Sequence, residues 1–362
     1  MILAATDVLT TDSARWRALL QRLPHDIYHT PEYHSVPGFG QTGEPLLFVY
    51  TEGEHLFLWP YLRTPIAQTG LCDVRSAYGY PGPLACGDQA FAGRAWQALV
   101  DHWRSQRAVS AFTRFHPLLG NCRLLDGVAP AAAGVRAFGA TVSIDLTAPA
   151  EAQLRHYNKK LRQEIRKARE AGFTTVEDET WQQTDAFVAL YRQTMARRGS
   201  LPEYVIDRSW VNRFRQILGP HLRLFVTRSR HDTVAAAMIV LSYPPFIHCH
   251  LLGSAPAYAG NSPAKLLLDD VRLWGTRNRY ATMHLGGGLG GREDSLFLFK
   301  RRFSPNTHAF HTGAWVLDAP RYQELEAAHR ARLDAKGTPV GDIPFFPAYR
   351  YQPPAAAVPA QR

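Results

Sequence analysis

Lys300 is the side chain whose surroundings most suggest chemistry. Residues 282–285, TMHL, read as a short strand. They run into Gly286, Gly287, Gly288, Gly290 and Gly291, and residues 296–299, LFLF, then lead to Lys300. Glycine lets another backbone or a ligand come close. A lysine beside apolar walls is a desolvated cation, suited to an anion or to an oxyanion developing on a carbonyl. Taken singly, these features are a tight turn and a snorkelling surface lysine. Of the 41 basic residues only six are lysines, against thirty-five arginines, so keeping a lysine at 300 points to the ammonium itself. Other side chains offer binding rather than catalysis. Arg155, Lys159, Arg162, Arg166 and Arg169 recur at spacings of four and three, one stripe on a helix spanning 151–171. Such a stripe is either a solvated face or a contact with a phosphate backbone. Tyr78 and Tyr80 stand in SAYGYPGP, residues 76–83, which is either a proline-stiffened connection or the aromatic wall of a cleft.

The elements that must position these groups fall into two similar halves. With 362 residues, 46% hydrophobic and 20% charged, the chain is globular and long enough for two cored domains. No run approaches the roughly 20 apolar residues of a membrane span. The start lacks a basic segment followed by a long apolar one, so no signal peptide is expected and the cytoplasm is the expected location. Cys72, Cys86, Cys122 and Cys249 lack metal or redox spacing and read as free thiols, so no metal is expected. The net charge of +10 favours an anionic partner: nucleic acid, a phosphorylated ligand or a membrane surface. Helix 11–23 precedes a hairpin over 45–62; helix 91–104 and strands 111–116 and 141–146 follow. After residue 147 come the basic helix, helices 185–198 and 207–218, and a second hairpin over 222–242 that echoes the first. Ser262 as N-cap and Pro263 at N1 open a further helix. A strand at 309–317 and a helix at 319–335 close the body. The tail from 344 is rich in Pro and Ala, with Phe345, Phe346, Tyr349 and Tyr351 able to dock. The expected division is 1–146, 147–343 and a tail, 344–362.

The order GS (253–254), SP (262–263), LL (266–267), HLGGG (284–288) and FKRRF (299–303) resembles the C-terminal half of the Fem-type aminoacyltransferases. LRQEIRKAREAG (161–172), YRQTMARRG (191–199), YHTPEY (28–33) and YGYPGP (78–83) extend the likeness over most of the chain. The resemblance implies an α/β fold of two tandem GNAT-like domains, each a mixed, mainly antiparallel sheet flanked by helices. It implies amide formation from an aminoacyl-tRNA, without a cofactor, on a primary amine of a cell-wall precursor or specialised metabolite. In that family pattern Lys300 and Tyr204 are the catalytic positions. Arg197, Tyr78, Tyr80, Glu203, Ser254 and Gly287 line the substrate, and Lys159, Arg162, Arg166 and Arg169 meet tRNA. Glu203 or Asp294 is the base. Two departures stand out: no segment is long enough for the helical arm of peptidoglycan-type members, and no lysine precedes Lys159.

Two other readings compete. An acyl-CoA N-acyltransferase of the same fold, acting on an amino sugar or amine, needs a pyrophosphate loop at a helix N-terminus. Residues 253–265 supply the helix start but not the Arg/Gln-x-x-Gly-x-Gly pattern. A non-catalytic binding module for nucleic acid or a lipid surface would have no need of Lys300.

Overall fold

Residues 46–50, LLFVY, and 56–62, LFLWPYL, are apolar on consecutive rather than alternate positions, so strands made from them need cover on both faces. The computed structural model describes residues 4–37, 42–128, 130–197, 206–337, 341–343 and 345–353, and there both strands are buried almost throughout. The first half runs β1 (Ala4–Thr10), α1 (Ala14–Leu20), α2 (Pro31–His34), β2 (Glu44–Glu52), β3 (His55–Ile66), β4 (Leu71–Arg75), β5 (Leu84–Cys86), α3 (Gln89–Ser105), β6 (Ala108–Arg114) and β7 (Val135–Asp145). The second runs α4 (Ala150–Arg155), α5 (Lys159–Glu170), β8 (Thr174–Glu177), α6 (Thr184–Arg197), α7 (Arg208–Leu218), β9 (Leu222–Arg228), β10 (Val234–Tyr243), β11 (Phe246–Ser254), α8 (Pro263–Arg277), β12 (Thr282–Gly287), α9 (Ser295–Arg301), β13 (Thr307–Val316) and α10 (Ala319–Ala335).

One continuous sheet orders these strands β1-β2-β3-β4-β6-β13-β7-β12-β11-β10-β9-β8, with β5 beside β3. Two neighbouring pairs are parallel, β4 with β6 and β11 with β12. Each needs a crossover, which α3 and α8 provide. The halves interlock at the middle: β7 from the first pairs with β12, and β13 from the second pairs with β6. The fold is thus mixed α/β, mainly antiparallel, with helices on both faces. Leu161, Ile165 and Ala168 of α5 and Leu266, Leu267 and Val271 of α8 cover one face of the second half. Phe187 and Tyr191 of α6 and Phe214 of α7 cover the other, and Ile27, Tyr28 and Tyr33 from the first half join that core. Among the described residues, no helix is long and apolar enough to cross a membrane.

Local structure departs from the sequence expectations in five places. The helix expected over 151–171 is two helices, because Asn158 stops the first and caps the second, accepting from Leu161 N at 2.7 Å. Ser262 holds the N-cap position of α8 with φ 56° and makes no side-chain cap. The apolar run before Lys300 is α9, with Asp294 accepting from Leu296 N and Phe297 N. β1 was not expected, because its outward residues are exposed at the sheet edge and leave little apolar pattern. β8, at the opposite edge, was missed for the same reason. The tail aromatics do dock: Tyr349 is buried and Phe346 stacks on Tyr322 at 5.9 Å.

Candidate active site

β11 and β12 pair at Phe246–Thr282, Ile247–Met283 and His248–His284, and then part. β11 stays with β10 as far as Ser254, while β12 leans on β7 through Gly286 and Gly287. The strands diverge beyond the two histidines, and Gly286 is the first irregular residue past them, at φ +77°. A side chain there would put its Cβ 3.2 Å from Lys300 Nζ and 3.8 Å from the Tyr80 hydroxyl. Lys300, half-buried on α9, donates from Nζ to the Gly287 carbonyl at 2.6 Å. The ammonium, the phenol and the bare backbone of Gly286 therefore meet where the strands part. Two of these groups come from the second half of the chain and one from the first.

An aromatic wall from the first half closes this place. Tyr80 stands edge-on to His284 at 5.1 Å and to Phe310 at 5.2 Å. Tyr28 packs edge-on to Tyr80 at 5.5 Å and to His248 at 4.8 Å. Tyr78 faces His250 at 6.0 Å, and the Arg114 guanidinium lies 6.0 Å from its ring centre. Burial raises the Tyr28, Tyr33 and Tyr80 hydroxyls above the ordinary phenol range, so the wall is neutral.

Beneath the wall lies a polar cluster that sequence reading missed. Asp26, at the N-cap of the 3-10 turn Ile27–His29, is fully buried. Its Oδ2 lies 2.7 Å from His116 Nε2 and 2.6 Å from His248 Nε2. His248 Nδ1 lies 3.2 Å from His284 Nδ1. Burial works against the Asp26 charge, but the two imidazoles offset it and hold the carboxyl below its usual range. Burial lowers His116 and His284, and lowers His29 and His250 to about 3. Asp26, His116 and His248 each bring a ligand atom within 4.8 Å of the others, which raises the question of a metal. Ligands at 2.0–2.1 Å from a tetrahedral ion stand roughly 3.3 Å apart. The separations of 2.7 and 2.6 Å here are hydrogen bonds. The cluster as built does not fit an ion.

The expected site residues divide into groups. Lys300, Gly287 and Tyr80 come together, with Tyr78 further along the same wall. Arg197 and Ser254 form a second group, Arg197 Nη2 donating to the Ser254 carbonyl at 2.9 Å. Ser254 is six residues beyond His248 on β11, about 20 Å along an extended strand. Tyr204 and Glu203 lie outside the described residues. Asp294 accepts from three backbone amides, at Leu289, Leu296 and Phe297, which lower its pKa against the effect of burial. It is a helix cap rather than a poised base. On α5, Arg169 is committed to Asp269 and Asp270 at 2.8 and 2.6 Å, and Arg166 lies 3.5 Å from Glu170. Lys159 and Arg162 are exposed and make no ion pair among the described residues. A cavity of about 690 Å³ opens elsewhere, by β8, β9 and α7, lined by Glu177, Trp181, Arg215 and Arg223. Arg223 is paired there with Glu177, and none of the groups above reaches it.

Residues 155–294 match a family model described as an acetyltransferase (GNAT) domain. The whole fold is similar to that of FemX, with a TM-score of 0.68 and 11% identity, over 88% of this chain and 99% of that one. It is also similar to L-PGS from Bacillus licheniformis, with a TM-score of 0.51 and 12% identity, over 85% of this chain and 93% of that one. No curated protein matches the sequence.

Proposed function

We propose that this chain, which shares the fold of FemX and matches an acetyltransferase (GNAT) domain over residues 155–294, moves an aminoacyl group from aminoacyl-tRNA to a primary amine of a small-molecule or peptide acceptor. The observation that carries the reading is the meeting of Lys300, Tyr80 and Gly286 where β11 and β12 part. An amine attacking an ester carbonyl passes through a tetrahedral oxyanion, and the protein must orient the pair and meet the new charge. Lys300 donates to the Gly287 carbonyl, which holds the ammonium beside Gly286, where an oxyanion would meet it. The donor ester supplies the driving force, so this reading calls for no cofactor, and it places the enzyme in the cytoplasm with charged tRNA. Net charge of +10 and the exposed cations of α5 support tRNA as donor. Since Arg166 and Arg169 have acidic partners, Lys159 and Arg162 are the better contacts. The acetyltransferase description of 155–294 favours acyl-CoA instead, on an amino sugar or amine.

The test incubates the protein with a mixture of charged tRNAs, or with acyl-CoA, and candidate amines, and weighs the amide product. Amide from charged tRNA alone is the expected result; amide only from acyl-CoA selects the other donor. Charge reversal of Lys159 and Arg162 together should weaken tRNA binding on the order of tenfold at low salt. It should also flatten the salt slope by roughly two. Unchanged binding removes α5 from the tRNA path.

A further inference from the structure

The hydrogens of the buried cluster can be placed one after another. Leu119 N–H donates to His116 Nδ1 at 3.1 Å, so that nitrogen is bare and the neutral ring carries its hydrogen on Nε2. His116 Nε2 donates to Asp26 Oδ2, which as a carboxylate only accepts. His248 Nε2 donates to the same oxygen. His248 Nδ1 lies 3.2 Å from Nδ1 of His284, and two lone pairs do not approach so closely, so one hydrogen lies between them. Placed on His284, that hydrogen leaves its Nε2 bare, buried, and without a hydrogen-bond partner among the described residues. An unsatisfied buried acceptor costs about 1–3 kcal/mol, and such a group in a native fold calls for a reason.

Its place supplies one. His284 is two residues before Gly286, and its ring is 5.1 Å from that of Tyr80, whose hydroxyl flanks Gly286 with Lys300. We propose that His284 Nε2 is the proton acceptor of the acyl transfer, with His248 and Asp26 behind it to take up the charge. The proposal rests on the acyl-transfer reading above but not on which donor is used. The amine nitrogen bonds to the carbonyl carbon, and the carbonyl electron pair moves to oxygen beside Lys300. The surplus proton on nitrogen passes to His284 Nε2 while the Nδ1 proton passes to His248 Nδ1. His248 becomes an imidazolium against the Asp26 carboxylate. When the tetrahedral species collapses, the bond from carbon to the leaving atom breaks, oxygen for a tRNA ester and sulfur for an acyl-CoA. The reverse hops return the proton to that leaving atom, so one proton moves from amine to leaving group. Burial lowers the His284 pKa and keeps the free ring unprotonated near neutral pH. The groups facing it are His248 on β11, His116 after β6, Lys300 on α9, His308 on β13 and the neutral phenol of Tyr80. His284 is the catalytic residue here; Asp26 and His248 are positioning residues that act through it.

The test uses the donor and amine found active above, in single turnovers across pH, for wild type, His284→Gln and Asp26→Asn, with melting temperatures to confirm folding. His284→Gln should lower the rate 10²- to 10⁴-fold with donor binding retained. Asp26→Asn removes the carboxylate that stabilises the imidazolium. Its plateau should fall tenfold or more, and the acid limb of the profile should move to lower pH. A merely structural Asp26 would change the melting temperature without moving that limb. In the unliganded protein, ¹⁵N spectra of the histidine rings should show His284 protonated on Nδ1 and bare on Nε2. A wild type that makes amide while His284→Gln stays within threefold of it overturns the proposal, as does a hydrogen on Nε2. A wild type that makes no amide from any donor overturns the functional reading and the catalytic role with it; the ring spectra then still report whether the bare nitrogen exists.

Discussion

The two parallel strand pairs occupy matching places in the two halves, and they use their buried polar residues in opposite ways. In the first half Asp73 on β4 faces Ser110 on β6. The Asp73 carboxylate accepts from Ser110 Oγ at 2.8 Å, from the Tyr349 hydroxyl at 2.5 Å and from Arg350 Nε at 2.5 Å. The C-terminal tail thus saturates the pair, and every partner is spent. In the second half His248 faces His284, and their chain of hydrogen bonds ends on a nitrogen that finds no partner among the described residues. A saturated buried cluster rigidifies, whereas an open one holds reactivity ready at a cost in stability. One layout has been closed into a clasp in one half and left open in the other, beside Lys300.

Acid gives the largest expected break in this comparison. Burial holds His29 and His250 at about 3 and His34 at about 4, below the ordinary 6.5. Their folded values are depressed, so below 6.5 the unfolded chain takes up protons that the folded chain refuses. Stability should therefore fall as pH drops from 6.5 toward 4. At about 1.36 kcal/mol per unit, the three rings together should cost on the order of 5–8 kcal/mol by pH 4.5. Asp26 has the same sign but acts lower: its folded pKa is also depressed, so its stabilisation is lost only as pH falls through the usual carboxylate range, below this window. Urea midpoints between pH 7.5 and 4.5 check this; flat midpoints would mean that the rings are hydrated. The clasp comes next. Asp73→Ala strands Arg350 and two hydroxyls and should cost about 3 kcal/mol, seen as a lower melting temperature. Turnover at a temperature where the variant is folded should stay at the wild-type level. A loss of turnover like that of His284→Gln would erase the distinction between the two pairs.

Periodicity made much of this fold readable. Both hairpins, α8, α10 and the apolar stripe of α5 follow from spacing alone, and the echo between hairpins anticipated the matching halves. Edge strands such as β1 hide because half of each faces water. Residues 296–299 hide differently: four apolar residues do not distinguish strand from helix, and only Asp294 two positions before them signals a cap. The neighbourhood of Lys300 was legible because its glycines are consecutive in the chain. The histidine cluster was not, because its contacts join residues 90, 222 and 36 positions apart. One signal was available. His248 and His284 interrupt runs that are otherwise core, FIHCHLL and TMHL, and a polar residue at a core position asks for a partner.

The smallest effect on stability comes from Gly286, and it is the sharpest probe of the open pair. At φ +77° an alanine carries about 1–2 kcal/mol of backbone strain. Its methyl would also lie 3.2 Å from Lys300 Nζ and 3.8 Å from the Tyr80 hydroxyl. The lysine end is flexible and can give way, so the chain should still fold, but the ammonium leaves the place where the oxyanion forms. Gly127→Ala is the control: its φ is +71° and a methyl there meets nothing within 4 Å. The two variants should lose similar stability by urea unfolding, while Gly286→Ala alone loses on the order of 10²-fold in kcat/KM, the lower end of the 10²- to 10³-fold that losing one oxyanion contact costs. Equal activity in the two would show that the space beside Gly286 is not where the acyl group sits, and that the open end of the β11–β12 pair serves something other than transfer.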